Sequence, residues 1–224
     1  MEMMLLISCS LLTIGLYIAS RKIAMKYPSP LTTPNFICTV LLIVIFLIFG
    51  ISVEDYKPTK EVLTFLLGPA TVALAVPTYL NRHIFYRHWK AICLGIAAGT
   101  MASMVFAVIT LTFFKLSYAF VASISVKSVT VPIALEISNV ISGDVAMTTA
   151  FVIFTGIAGA MFGPLLLNVF KINDPVSRGL AFGTISHGVG TGQAAQESEL
   201  SGAVAGVAMG ITAVFTSFVA PFLF

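Results

Sequence analysis

Uncharged runs cover most of this 224-residue chain: 3–20, 31–53, 62–81, 91–114, 145–170, 179–196 and 200–224. Each reaches or passes the roughly 18 residues that a helix needs to cross the hydrocarbon of a bilayer. Hydrocarbon offers no partner to backbone polar groups, so only helices and closed barrels span it. A barrel needs alternating segments of about ten residues with a polar lumen face. The run from Val40 to Phe49 is instead apolar at every position. Charged residues are 9% of the chain and the mean hydropathy is +1.02, against about 25% charged residues in soluble domains. The expected fold class is all-α, a polytopic membrane helical bundle of about seven or eight membrane segments in one integral membrane domain over 1–224.

The basic residues set an orientation. Arg21, Lys22 and Lys26 follow the first run, and Arg82, Arg87 and Lys90 follow the third, the clustering that keeps loops in the cytoplasm. Between them Glu54, Asp55, Lys57, Lys60 and Glu61 carry a net charge of −1, which suits an external loop. The N-terminus is expected outside, in a multi-pass protein of the cytoplasmic (inner) membrane. After Lys115 the loop charges are too few to orient the rest. The first run is preceded by Glu2 and followed by Arg21-Lys22, so it reads as a retained anchor rather than a signal peptide. Cys9, Cys38 and Cys93 stand singly, without metal-ligand spacing, and read as small apolar packing residues. The small formal charge of +3 calls for no nucleic-acid partner, and no cofactor or metal is expected.

Two stretches place polar groups at membrane depth. The first is Lys127, Ser128, Val129, Thr130, Val131 and Pro132, with Glu136. The second runs from Ser186 and His187 through Gly188, Val189, Gly190, Thr191, Gly192 and Gln193, with Gln196 and Glu197. Such residues inside a bilayer are expensive and mark functional positions by default. Proline removes a backbone donor and glycine weakens a helix, so discontinuous helices are expected at both places, as at Gly68-Pro69 and Pro77. Half-helix ends that meet near the midplane of repeat-built transporters bind substrates and ions.

An offset of 60 pairs Lys127 with His187, Pro132 with Gly192, and Glu136 with Gln196, suggesting a repeated unit and an inverted-repeat architecture. Lys127 is a candidate ion-pair partner for a substrate carboxylate, or else a snorkelling interfacial lysine. Ser128 and Thr130 can add hydroxyl donors. Pro132 either breaks the helix at the site or kinks it. His187 can carry a coupled proton, hydrogen-bond a substrate, or serve structurally. Gly188, Gly190 and Gly192 would let backbone N–H groups approach an anion, with Thr191 and Gln193 as side-chain donors, or simply provide close packing. Glu136 is a proton-coupling candidate, a counter-ion of Lys127, or a loop-facing carboxylate. Glu197 and Glu199 read as interfacial. Three small-residue runs, GIAAG at 95–99, GIAGA at 156–160 and GVAMG at 206–210, let helix backbones approach closely.

The segments KSVTVPIALEIS at 127–138, GPLLLNVFKINDPVSRGLAFGTISHGVGTGQAAQESE at 163–199, the terminal GVAMGITAVFTSFVAPFLF, and GPATVALAVP at 68–77 resemble the LrgB/CidB family over essentially the whole chain. The resemblance implies the larger B-type subunit, similar to the C-terminal half of the plastidal glycolate/glycerate translocator of plants. It implies two competing functions. One is a transporter, or transporter subunit, for small monocarboxylates such as pyruvate, glycolate or glycerate, with protons as a candidate coupled species. The other is a holin- or antiholin-like modulator of murein hydrolase export and autolysis. An A-type (LrgA/CidA-like) membrane partner and a homo-oligomer are further expectations. An enzyme is not expected, since Ser186-His187 lacks a nucleophile elbow.

Overall fold

The computed structural model describes residues 2–27, 29–73, 75–80 and 82–224. Leu74, within the 68–77 run, and Asn81 lie outside the described residues, as do the side chains of Gly68 and Pro77. The chain forms two compact units, Met1–Ala73 and Leu74–Phe224. The described residues are helices and connecting turns, as expected of a helical membrane bundle. Four helical stretches are long and apolar enough to cross a membrane: Leu5–Lys26, Trp89–Thr110, Val145–Val169 and Glu199–Leu223. Pro34–Phe49 and Val131–Val140 are shorter apolar helices.

In the first unit, α1 (Glu2–Lys26) packs on α2 (Pro34–Phe49) and α3 (Val53–Ala73). Thr13 Oγ1 lies 3.1 Å from the Tyr56 hydroxyl, and the Tyr56 ring meets Phe46 edge-on. Gly50 ends α2 in the left-handed conformation at φ 64°, where a side chain would be strained. α3 runs through both Pro58 and Pro69.

The second unit holds α4 (Ala75–Leu80), α5 (Arg82–Phe113), α6 (Tyr118–Ser125), α7 (Val131–Val140), α8 (Val145–Val169), α9 (Pro175–Glu197) and α10 (Glu199–Leu223). Side-chain caps start four of them, α6 through Ser117, which accepts from Phe120 N at 3.4 Å. Asp144 accepts from Met147 N at 2.7 Å, Asp174 from Ser177 N at 2.8 Å ahead of Pro175, and Ser198 from Ser201 N at 3.0 Å. Each satisfies a donor that the first helical turn leaves open. Large side chains such as Leu94, Phe106, Phe154, Leu165, Phe218 and Phe222 point outward, as a lipid-facing surface requires.

The 179–196 run does not cross. A straight 23-residue helix would be about 34 Å long and would hold residues 178 and 197 about 28 Å apart, at 1.5 Å per residue. Instead Arg178 Nε lies 2.6 Å from Glu197 Oε2. The chain reverses at Ser186 (φ −113°, ψ 16°) and His187 (φ 40°, ψ −133°). α9 is therefore a hairpin of two arms, 175–185 and 188–197. At about 1.5 Å per residue the first arm rises some 16 Å, half of a ~30 Å hydrocarbon core. Phe182 and Ala194, on opposite arms, share one apolar cluster with Ala205 of α10.

Contacts along the first arm fix the direction of its neighbours. Passing from Arg178 to His187, it meets α8 at Asn168, then Gly163, Gly159 and Gly156, so the two run antiparallel. It meets α5 at Gly95 and then Gly99, and α10 at Ser201 and then Ala205, so it runs parallel to both. The other broken segment comes from the opposite end. Tyr118, at the start of α6, donates to Phe224 O beyond α10 at 2.8 Å. Asp144, at the start of α8, donates its N–H to Ser123 Oγ at 2.8 Å. Both ends of the α6–α7 segment thus lie at one end of the bundle, and the α9 hairpin opens at the other. Two segments entering from opposite ends are the arrangement that the 60-residue offset suggests.

Candidate functional site

The break between α6 and α7 spans residues 126–130. Lys127, the residue of that break with a cationic side chain, extends to the middle of α5, where its Nζ donates to Ser103 Oγ at 2.8 Å and to Ser103 O at 3.4 Å. Ser128 is buried, its Oγ 3.5 Å from Ser103 Oγ. Among the described residues the Lys127 ammonium has hydroxyl and carbonyl partners but no carboxylate. Glu136 is exposed and does not pair with it.

Pro132 differs from the expected break or kink. α6 ends before it at Ser125, and Pro132 lies in the first turn of α7, where a missing N–H removes no helical hydrogen bond. Thr130 is the N-cap of α7 but makes no side-chain cap bond. The first turn of α7, beside Lys127, thus receives no side-chain cap from Thr130.

His187 stands at the reversal of α9 and is buried. Its ring nitrogen Nε2 lies 2.9 Å from Val152 O of α8. A carbonyl can only accept, so Nε2 carries the proton. The ring fits because α8 has glycine there: a Cβ on Gly156 would stand 2.6 Å from Nε2. The positive φ of a non-glycine residue costs on the order of 1–3 kcal/mol and persists only where its surroundings hold it. The GIAGA run is thus a bed for the reversal, with Gly156 under His187 and Gly159 under Ser186.

The two breaks share neighbours. Val152 accepts from His187, and its side chain belongs to the apolar cluster of Val126 and Val129, which flank Lys127. On α5, Gly99 faces Thr184 of α9, and Ser103, one turn on, holds Lys127. α5 and α8 so bring both breaks to the middle of the bundle, and no hydrogen bond joins Lys127 to His187 directly.

The remaining candidates divide. Thr191 is buried, but its hydroxyl donates to His187 O at 2.8 Å, so it braces the reversal instead of offering a free donor. Gly190 packs on Ser186 and on Phe182 O of the first arm. Gly188 and Gly192 are exposed, and a Cβ on Gly192 would meet nothing within 4 Å. Gln193 is half-buried and Gln196 exposed. Glu197, read from sequence as interfacial, forms a two-pronged bridge with Arg178, with Nη2 to Oε1 at 2.8 Å. Arg178 also donates to Asn168 Oδ1 and Ile172 O, both at 2.9 Å. Sequence reasoning missed Arg178 and Ser103. A serine in an apolar helix is a weak signal, and the Arg178 pairing joins residues 19 apart that only a reversal brings together.

The model of the LrgB-like family matches residues 13–224. Two Bacillus subtilis proteins described as uncharacterized are similar: YxaC, 34% identical over 211 residues (94% of this chain, 92% of that one), and YwbG, 32% identical over 212 (95% and 94%). The holin-like protein CidB of Staphylococcus aureus is 32% identical over 213 residues, covering 95% of this chain and 93% of its own. No solved structure matches the chain.

Proposed function

The chain belongs to the LrgB-like family, and we propose that this integral membrane protein is a secondary transporter, or transporter subunit, for small monocarboxylates. Pyruvate, glycolate and glycerate are the substrates to test. The observation that carries the reading is Lys127, an ammonium in the middle of the bundle met by Ser103 hydroxyl and carbonyl oxygens alone. A half-buried charge at membrane depth without a counter-charge is costly, and a substrate carboxylate would supply that counter-charge. The uncapped first turn of α7 and the hydroxyls of Ser128 and Thr130 complete a donor set for an anion. His187, braced on Val152, adds a titratable ring at the other break, with protons as the coupled species. The α9 hairpin opens at the end that carries Arg82, Arg87, Lys90 and Lys171, which faces the cytoplasm of a bacterial inner membrane by the charge rule.

The test is uptake of the three labelled carboxylates into proteoliposomes, with and without a pH gradient. Saturable uptake that falls at least tenfold in both Lys127→Ala and His187→Ala supports the reading. Absence of saturable uptake in wild type, or uptake indifferent to both substitutions, removes it.

The description of the S. aureus relative favours a second reading, a holin-like modulator of murein hydrolase export and autolysis. It predicts dye leakage from the same liposomes without saturation by carboxylate. An A-type membrane partner belongs to either reading and is tested by co-purification.

A further inference from the structure

α5 is longer than its membrane span. The span, Trp89–Thr110, has 22 residues and is about 33 Å long, enough for a hydrocarbon core of ~30 Å. The helix begins earlier, at Arg82, so its first two turns, about 10 Å, stand in the headgroup layer.

The side chains there are sorted by face. At about 100° per residue, the exposed Arg82, His83, Tyr86, Arg87, Trp89 and Lys90 fall within an arc of roughly 160°. Ile92, Gly95 and Ile96 lie outside that arc and pack into the bundle, against Ala208 of α10 and Leu180 of α9. The arc therefore faces the surroundings of the protein, with Tyr86 77% and Trp89 54% exposed.

The chemistry of the face names what surrounds it. Trp89 stands at the first residue of the span and Tyr86 about one turn beyond it, the depth that amphipathic rings prefer. The Arg82 guanidinium lies 4.4 Å from the Tyr79 ring centroid, and Lys90 Nζ lies 5.8 Å from that of Trp89. Among the described residues no carboxylate pairs with Arg82, Arg87 or Lys90. Of the carboxylates at this end, Glu197 holds Arg178, Asp174 accepts from the Ser177 N–H and hydroxyl, and Glu199 lies in the first turn of α10. Cations without protein counter-charges, beside aromatic rings at headgroup depth, match phosphodiester anions. The guanidinium fork fits phosphate oxygens, and an anionic leaflet attracts each Lys or Arg near its surface.

We propose that this face of α5 binds anionic phospholipid headgroups of the cytoplasmic leaflet, with Arg82, Arg87 and Lys90 on the phosphate and Tyr86 and Trp89 at the ester level. Phosphatidylglycerol is the lipid to test. The inference needs neither carboxylate uptake nor leakage, so it stands or falls separately from both functional readings.

Trp89 is the single tryptophan of the chain, so its fluorescence reads this face alone. The full-length protein is reconstituted in phosphatidylcholine vesicles that contain a fixed fraction of lipid brominated on the acyl chains near the headgroup, either phosphatidylglycerol or phosphatidylcholine. Stronger quenching by the brominated phosphatidylglycerol is expected, with an association constant roughly fivefold greater, falling as salt rises. Arg82→Gln, Arg87→Gln and Lys90→Gln combined bring the two lipids to equality, whereas Lys115→Gln, beyond the far end of α5, keeps the preference. Soluble glycerol phosphate does not relieve the quenching. Equal quenching by the two lipids in wild type overturns the proposal, as does an undiminished preference in the folded triple variant. Relief by glycerol phosphate also overturns it, since the face then takes a soluble phosphoester. The wild-type comparison needs no variant, so it decides the question even where the triple variant fails to insert.

Discussion

Removing Arg178 opens the base of the α9 hairpin, because this one guanidinium joins the two arms and ties them to the end of α8. Four donations leave it: two to the Glu197 carboxylate at 2.6 and 2.8 Å, and one each to Asn168 Oδ1 and Ile172 O at 2.9 Å. The side chains are only 12% and 18% exposed. An exposed ion pair is worth about 0–1 kcal/mol, and breaking a fully buried one costs about 3–5 kcal/mol. This pair lies nearer the buried limit, so Arg178→Ala should destabilise by about 3 kcal/mol and Glu197→Gln by about half as much. Their coupling in a double-mutant cycle should be about 2 kcal/mol. Reversible unfolding in mixed detergent, followed by circular dichroism, gives the four free energies, and hydrogen exchange locates the loss in 175–197. A coupling below about 0.5 kcal/mol would refute the reasoning, since the bridge would then be no stronger than a solvated surface pair.

Gly156→Ala forces a methyl toward the His187 ring and should cost about 1–3 kcal/mol by overpacking; Gly192→Ala, with open space at its Cβ, should leave the thermal midpoint unchanged. Ser103→Ala removes the hydroxyl nearest the Lys127 ammonium and should raise the carboxylate KM severalfold, at constant protein level, in the uptake assay. In the first turn of α3, hydrogen bonds from the Ser52 side chain and then its backbone hold the Asp55 carboxyl below its ordinary range. That contribution is present above the unfolded carboxylate pKa of about 3.9 and is lost as pH falls through the lower folded value. Amide exchange at Asp55, whose N–H bonds Ser52 Oγ, should therefore accelerate on acidification below that range, and Asp55→Asn should abolish the step.

Hydrophobicity and capping are local properties, and the features they control were legible in the residues alone. The uncharged runs placed the long helices because hydrocarbon tolerates no unpaired backbone. Lys127 and His187 marked the breaks because polar groups at that depth stand out against an apolar background. The helical start at Pro132 was less legible: proline breaks or begins a helix according to where the preceding one stops, and α6 stops at Ser125.

The course of 175–197 is instead a product of tertiary packing. By length and composition that segment could have entered or crossed the bilayer, and nothing within it requires a return. The return depends on α8 glycines that leave room for the His187 ring and Ser186, and on a carboxylate 19 residues away that completes the Arg178 bridge. The same packing placed Ser103 at Lys127. These relations join residues distant in sequence, and their energies exist only once the helices touch.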